Sequence, residues 1–185
     1  MVLNFQIKLW ENYMNVYYTK TALYAYSNIE TITEQIDEIV LKRALSSMSD
    51  CSPAVEQCEK IIDLTFQKKV LFALKLHIDA ILKKLDKLSL DSLEYKYFKR
   101  KDKDYFADFD FESRAYFRRQ IKLAKEISSL FESAGLTDKW FEKHCLKIDF
   151  IKELLKRTIE HERSYNSNKK SKRKKSKVPL KVLSA

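Results

Sequence analysis

The sequence predicts an all-α fold, and three observations carry that expectation. Only one glycine and two prolines stand in 185 residues, so the residues that punctuate turns and stop helices are nearly missing. Hydrophobic residues make up 45% of the chain and charged residues 34%, enough for both a core and a solvated exterior. Apolar residues also recur at three- and four-residue intervals, the spacing of helices that pack on one face. The expected architecture is a multi-helix domain containing a helix-turn-helix, with a disordered basic C-terminal tail. Its parts are N-terminal helices over 1–84, the helix-turn-helix over 85–131, C-terminal helices over 132–163 and the tail over 164–185.

Residues 1–13, MVLNFQIKLWENY, precede a second methionine, Met14. They read either as an apolar arm that packs or as an upstream start that adds little. From Thr21 to about Met48, the residues Ile29, Ile32, Ile36, Ile39, Val40 and Leu45 keep helical spacing. Tyr17, Tyr18, Tyr24 and Tyr26 at its beginning offer rings for base stacking. Tyrosines more often cover a helix–helix seam, with the ring packed and the hydroxyl bonded, and that reading is taken here.

The run SMSDCSP breaks this helix, with Ser52 as cap and Pro53 at the first helical position. Val55, Cys58, Ile62, Phe66, Val70, Leu74, Ile78, Ile81 and Leu85 then mark a helix of ~45 Å. Cys51 and Cys58 flank Pro53 without a metal-site spacing. Cys58 falls on the apolar stripe, so a small buried thiol is expected.

The stretch Leu85 to Ser128 organises the rest. A helix ending in Tyr95, Tyr97 and Phe98 leads into a charged break, the segment DYFADFDF, and Ser113, a good cap for the next helix. Counted at 100° per residue, Arg114, Lys125, Arg118, Lys122, Glu126 and Arg119 share an arc of roughly 140°. Leu123, Tyr116, Ile127, Gln120, Ala124, Phe117 and Ile121 fill the other side, the face expected to pack. A short helix, a turn and a second helix with a basic outer face is the layout of a helix-turn-helix.

Beyond Phe131, Ser133-Ala134-Gly135 should end the helix with Gly as its left-handed cap. Thr137 caps a short helix, DKWFEKHCL, whose Trp140 and Phe141 fill a corner. A last helix starts at Asp149, with Phe150, Ile151, Leu154, Leu155 and Ile159 as its packing stripe. From Ser164 the composition collapses to Ser, Asn and Lys, and disorder is expected. Net charge is +10, and the run Lys169 to Lys177 alone holds seven cations and no acid. The body without it is about +3, so the run is a polyanion attractant that need not fold.

No apolar run approaches the ~20 residues of a membrane helix, and no membrane partner is expected. The first residues lack a cationic start followed by an apolar core, and three cysteines without a CxxC fit a reduced, cytoplasmic protein. His144, Cys145 and His161 lack paired zinc spacings and read as core or surface residues. There is no nucleophile elbow, no phosphate loop and no His–Glu metal motif. The expectation is a protein that is not an enzyme and needs no cofactor.

The stretch 85–128 resembles domain four of bacterial sigma factors and the sigma-like phage transcription regulators. The pattern is Leu85, Leu93, Tyr95, Lys96, Tyr97 and Phe98, then Phe106-Ala107, then Ser113-Arg114 and Phe117, matched without a gap. Ile121 and Ala124 occupy the next positions that the family buries, and fifteen residues separate Phe98 from Arg114. The stretch covers about a quarter of the chain. It departs from the family at Phe111, where a small residue is usual, and in the acids Asp102, Asp104, Asp108 and Asp110.

Two functions of different class follow. The first is a stand-alone DNA-binding transcription regulator, of phage or mobile-element type, acting on double-stranded DNA. Arg114, Arg118 and Arg119 are its base-edge candidates, because Arg pairs bidentately with guanine. Lys122 and Lys125 would track phosphates and Tyr116 would lie near the DNA backbone. Phe106, Ala107, Phe117 and Ile121 would be structural, and the helix from Pro53 to Leu85 would carry either homodimerisation or contact with RNA polymerase. The second function is an all-helical interaction module, whose aromatic 95–117 segment binds a protein and whose tail is an appendage.

Overall fold

In a computed structural model the described residues are 14–46, 54–98 and 114–175. They form seven α-helices and one short 3-10 turn, with no strand among them. We number the helices α1 (Val16–Tyr26), α2 (Ile29–Ser46), α3 (Ala54–Leu82), α4 (Lys87–Tyr97), α5 (Arg114–Ser133), α6 (Asp138–His144) and α7 (Asp149–Lys175); the 3-10 turn Cys145–Lys147 joins the last two.

Helix α1 is the hub, packing against α3, α5 and α7. Its buried positions are Thr19, Thr21, Ala22, Leu23 and Ala25, mostly small side chains that let neighbouring helices come close. Asn15 caps it by accepting from the Tyr17 N–H at 2.9 Å. The single helix expected from Thr21 to Met48 is broken at Ser27–Asn28, where the Asn28 N–H turns back onto the Ala25 carbonyl at 2.9 Å. Ser and Asn bond their own backbone well enough to compete with a continuing helix. The apolar periodicity does not register such a two-residue turn.

Helices α2 and α3 run antiparallel, and ion pairs Lys75–Glu30 at 3.0 Å and Lys68–Asp37 at 2.6 Å mark their register. In α3 the stripe read from the sequence splits in two. Val70, Leu74, Ile78 and Ile81 are buried, whereas Val55, Cys58, Ile62 and Phe66 are exposed. Each four-residue step advances 400°, so a stripe built on such steps creeps 40° per step round the helix. Its first half therefore leaves the core, and the Cys58 thiol faces solvent rather than being buried.

Asp86 caps α4 by accepting from the Ser89 N–H at 3.4 Å. Leu93 and Tyr97 enter the core, the Tyr97 ring tilting against Tyr24 at 4.7 Å and Phe98 against Tyr26 at 4.9 Å. Of the α1 tyrosines, Tyr18, Tyr24 and Tyr26 cover helix seams as expected, whereas Tyr17 is exposed. Tyr18 stacks on Phe141 at 4.7 Å and donates to Glu142 at 2.9 Å, and Tyr26 donates to Asp79 at 2.5 Å.

The end of α5 follows the sequence expectation. Gly135 has φ 84°, its N–H reaches the Glu132 carbonyl at 3.0 Å, and the Leu136 N–H reaches Phe131 at 2.9 Å. These are the two bonds of a glycine-terminated helix end. Thr137 caps α6, accepting from the Trp140 N–H at 3.2 Å. Helix α7 packs along α1, tied by Lys20–Glu162 at 2.6 Å. Its backbone stays helical to Lys175, past Ser164, where composition predicts a disordered tail. No Gly or Pro interrupts 164–175, and Lys and Arg are good helix formers, so the helix finds no stop signal there.

Candidate nucleic-acid interface

Helix α5 divides cleanly into a packed and an open face. On the packed side Gln120, Leu123, Ala124, Ile127, Ser128 and Phe131 are buried against α1 and α3. Two polar bonds fix its rotation. The Gln120 amide donates to the Ser92 carbonyl of α4 at 3.0 Å, and the Ser128 hydroxyl donates to the Met14 carbonyl. Both are buried, where an unmade hydrogen bond costs about 1–3 kcal/mol, so they resist rolling of the helix.

With the rotation set, Arg118, Arg119, Lys122 and Lys125 all face outward and are exposed, with Glu126 beside them. Among the described residues no ion pair neutralises Arg118, Lys122 or Lys125. From Arg118 to Lys125 the row spans ~10 Å along the axis. A cationic helix of this width fits a B-DNA major groove, and its row of donors suits phosphate oxygens or guanine edges.

Tyr116 departs from the rest of the expected set. It is 7% exposed and meets Tyr95 of α4 edge-on at 6.4 Å. Burial, with Tyr95 nearby, pushes its phenol up to about 12. The residue joins α5 to α4 and does not belong to the open face. Ile121 departs in the opposite direction: expected to be buried, it is 61% exposed. It lies at the border of the two faces, one residue from Lys122, and no described helix reaches over it. An exposed isoleucine among cations offers the apolar contact that a thymine methyl takes.

The start of α5 fits the expected boundary, since the helix begins at Arg114 directly after Ser113. The side chains of Arg114 and Phe117, together with Phe106, Ala107, Phe111 and Ser113, lie outside the described residues. So does the 99–113 turn of the expected helix-turn-helix.

No family model, curated protein or solved structure matches this chain.

The neighbouring cysteine, histidine and aromatic residues have structural surroundings. Cys145 is fully buried and desolvation pushes its thiol up to about 12, away from nucleophile or ligand chemistry. His144 lies against Trp140 at 5.4 Å and Phe66 at 6.1 Å. Among the described residues no cluster of three His, Cys, Asp or Glu could hold a metal ion. None of the described helices is long and apolar enough to cross a membrane. Lys96 is a residue whose setting the sequence did not signal. It sits over the Tyr97 ring at 5.1 Å, and burial, reinforced by Lys20, pushes its ammonium down. Lys96 thus belongs to the α4–α1 seam.

Proposed function

We propose that the chain is a DNA-binding regulator of transcription that lays the outer face of α5 into the major groove of double-stranded DNA. The observation that carries this reading is the open cationic row Arg118, Arg119, Lys122 and Lys125 on a helix whose other face is locked into the core. Cations on a rigid helix are pre-oriented, so binding requires little reordering. The likeness of 85–128 to sigma domain four supports the same helix as the reader, and an RNA polymerase contact or a second copy as the protein partner. Against the aromatic-segment alternative stands the inward placement of Tyr97, which is 2% exposed.

The test is a sequence-selection binding assay on the full chain, followed by titrations at two salt concentrations. An enriched motif is expected. Arg118→Ala should then cost ~1–3 kcal/mol of binding and relax preference at one base pair. Lys122→Ala should weaken every sequence alike and lower the salt slope by about one. Both positions are exposed, so stability should move by less than ~0.5 kcal/mol in either variant. Absence of any motif, with both variants binding as the parent does, rules the reading out.

A further inference from the structure

The basic row of α5 leaves unexplained a second surface, the outward side of α3. Val55, Cys58, Ile62, Phe72 and Leu76 are all exposed there, joined by exposed Thr65 and Lys69. These positions alternate steps of three and four residues without a break from 55 to 76. That is the spacing of a coiled-coil seam, ~30 Å long here. The opposite side of the same helix is committed to α2 and the core through Leu71, Leu74 and Ile78. A helix apolar on two sides is built to be covered on two sides.

Charge selects the cover. Lys69 lies within the stripe, while Glu59 flanks it about three turns toward the N-terminus. Among the described residues neither has an ion pair, although neighbouring Lys68 and Lys75 are taken by α2 and Lys60 by Glu56. Turning a second α3 end for end about the midpoint of the stripe sets Ile62 of one copy level with Lys69 of the other. Lys69 then arrives within ~5 Å, along the axis, of Glu59 of the other copy, twice by symmetry. Phe66, 43% exposed at the edge of the stripe, meets its own copy near the twofold. A parallel copy would instead set Lys69 against Lys69, like charge on like charge.

We infer that the outward face of α3 is a homodimer interface, in which two copies pack their α3 helices antiparallel with Thr65 and Phe66 at the twofold. Such a patch is isologous, each copy offering the same surface. The inference stands apart from the DNA reading and is tested without DNA.

Sedimentation equilibrium of the nucleic-acid-free full chain should give a concentration-dependent monomer–dimer equilibrium. Ile62→Asp should give a monomer with unchanged helicity, because the side chain is 65% exposed in the single chain. Lys69→Glu should weaken the dimer about tenfold or more, and adding Glu59→Lys should restore it. Orientation is read by oxidation in a Cys51→Ser background, where Cys145 is buried. Thr65→Cys should cross-link to its copy, whereas Cys58 should not, being ~20 Å from its mate in the antiparallel register. A chain that stays monomeric at every concentration overturns the inference. So does Cys58 linking to itself, or charge reversal that fails to rescue Lys69→Glu.

Discussion

Tyr97 and Tyr26 are two phenols in the same α1–α4 seam with opposite hydrogen-bonding fates. The Tyr26 hydroxyl donates to Asp79 at 2.5 Å, and burial together with that carboxylate raises its pKa well above the usual phenol range. The Tyr97 hydroxyl is buried without a hydrogen-bond partner among the described residues. Removing a bonded hydroxyl loses the bond and strands its acceptor, whereas removing an unpaired one relieves a desolvation cost. In urea titrations Tyr26→Phe should therefore destabilise by ~1–2 kcal/mol, and Tyr97→Phe should be neutral or stabilising by up to ~1 kcal/mol. Equal losses from both substitutions would mean that the Tyr97 hydroxyl is paired after all.

At the scale of the element, the turn from α5 to α6 aligns the cationic helix with the rest of the bundle. Gly135 holds φ 84°, and a methyl placed on it would meet nothing within 4 Å. Substitution there tests backbone strain alone. Gly135→Ala should cost ~1–2 kcal/mol in thermal unfolding while leaving helicity intact. A larger loss would point to a packing role for the turn that the open space beside it does not predict.

For the whole molecule, the buried phenols and thiol tie stability to high pH. Desolvation pushes Cys145 up to about 12, and burial with Glu142 pushes Tyr18 to about 12. Burial raises Tyr24 and Tyr97 as well, and Tyr116 reaches about 12. In each case the folded state holds its proton more tightly than the unfolded chain does. The stabilisation is complete below the ordinary values, about 9 for the thiol and 10 for the phenols, and is lost as pH rises toward 12. Melting temperature should be flat through neutrality and fall steadily above about pH 9, with tyrosinate absorbance appearing together with loss of helix. Ionisation of most tyrosines before any loss of helix would contradict the burial described for α1 and α4.

Local chemistry carried much of this protein from sequence alone. The near-absence of Gly and Pro with helical periodicity specified an all-helical chain, because that choice depends on neighbours within a turn or two. The Thr137 cap and the Gly135 terminus were legible for the same reason, each satisfying backbone groups a few residues away. The two faces of α5 were legible because its cations and apolar residues segregate within a single helix. What only the tertiary structure decided is which apolar positions are covered. Cys58 and Ile121 look buried from spacing and are not, while Tyr116, proposed for a DNA backbone, lies inside. Burial at such positions depends on which other helix arrives and at what angle. The hydrophobic effect that drives it is non-directional, so a stripe shows that a face seeks cover without naming the partner that supplies it.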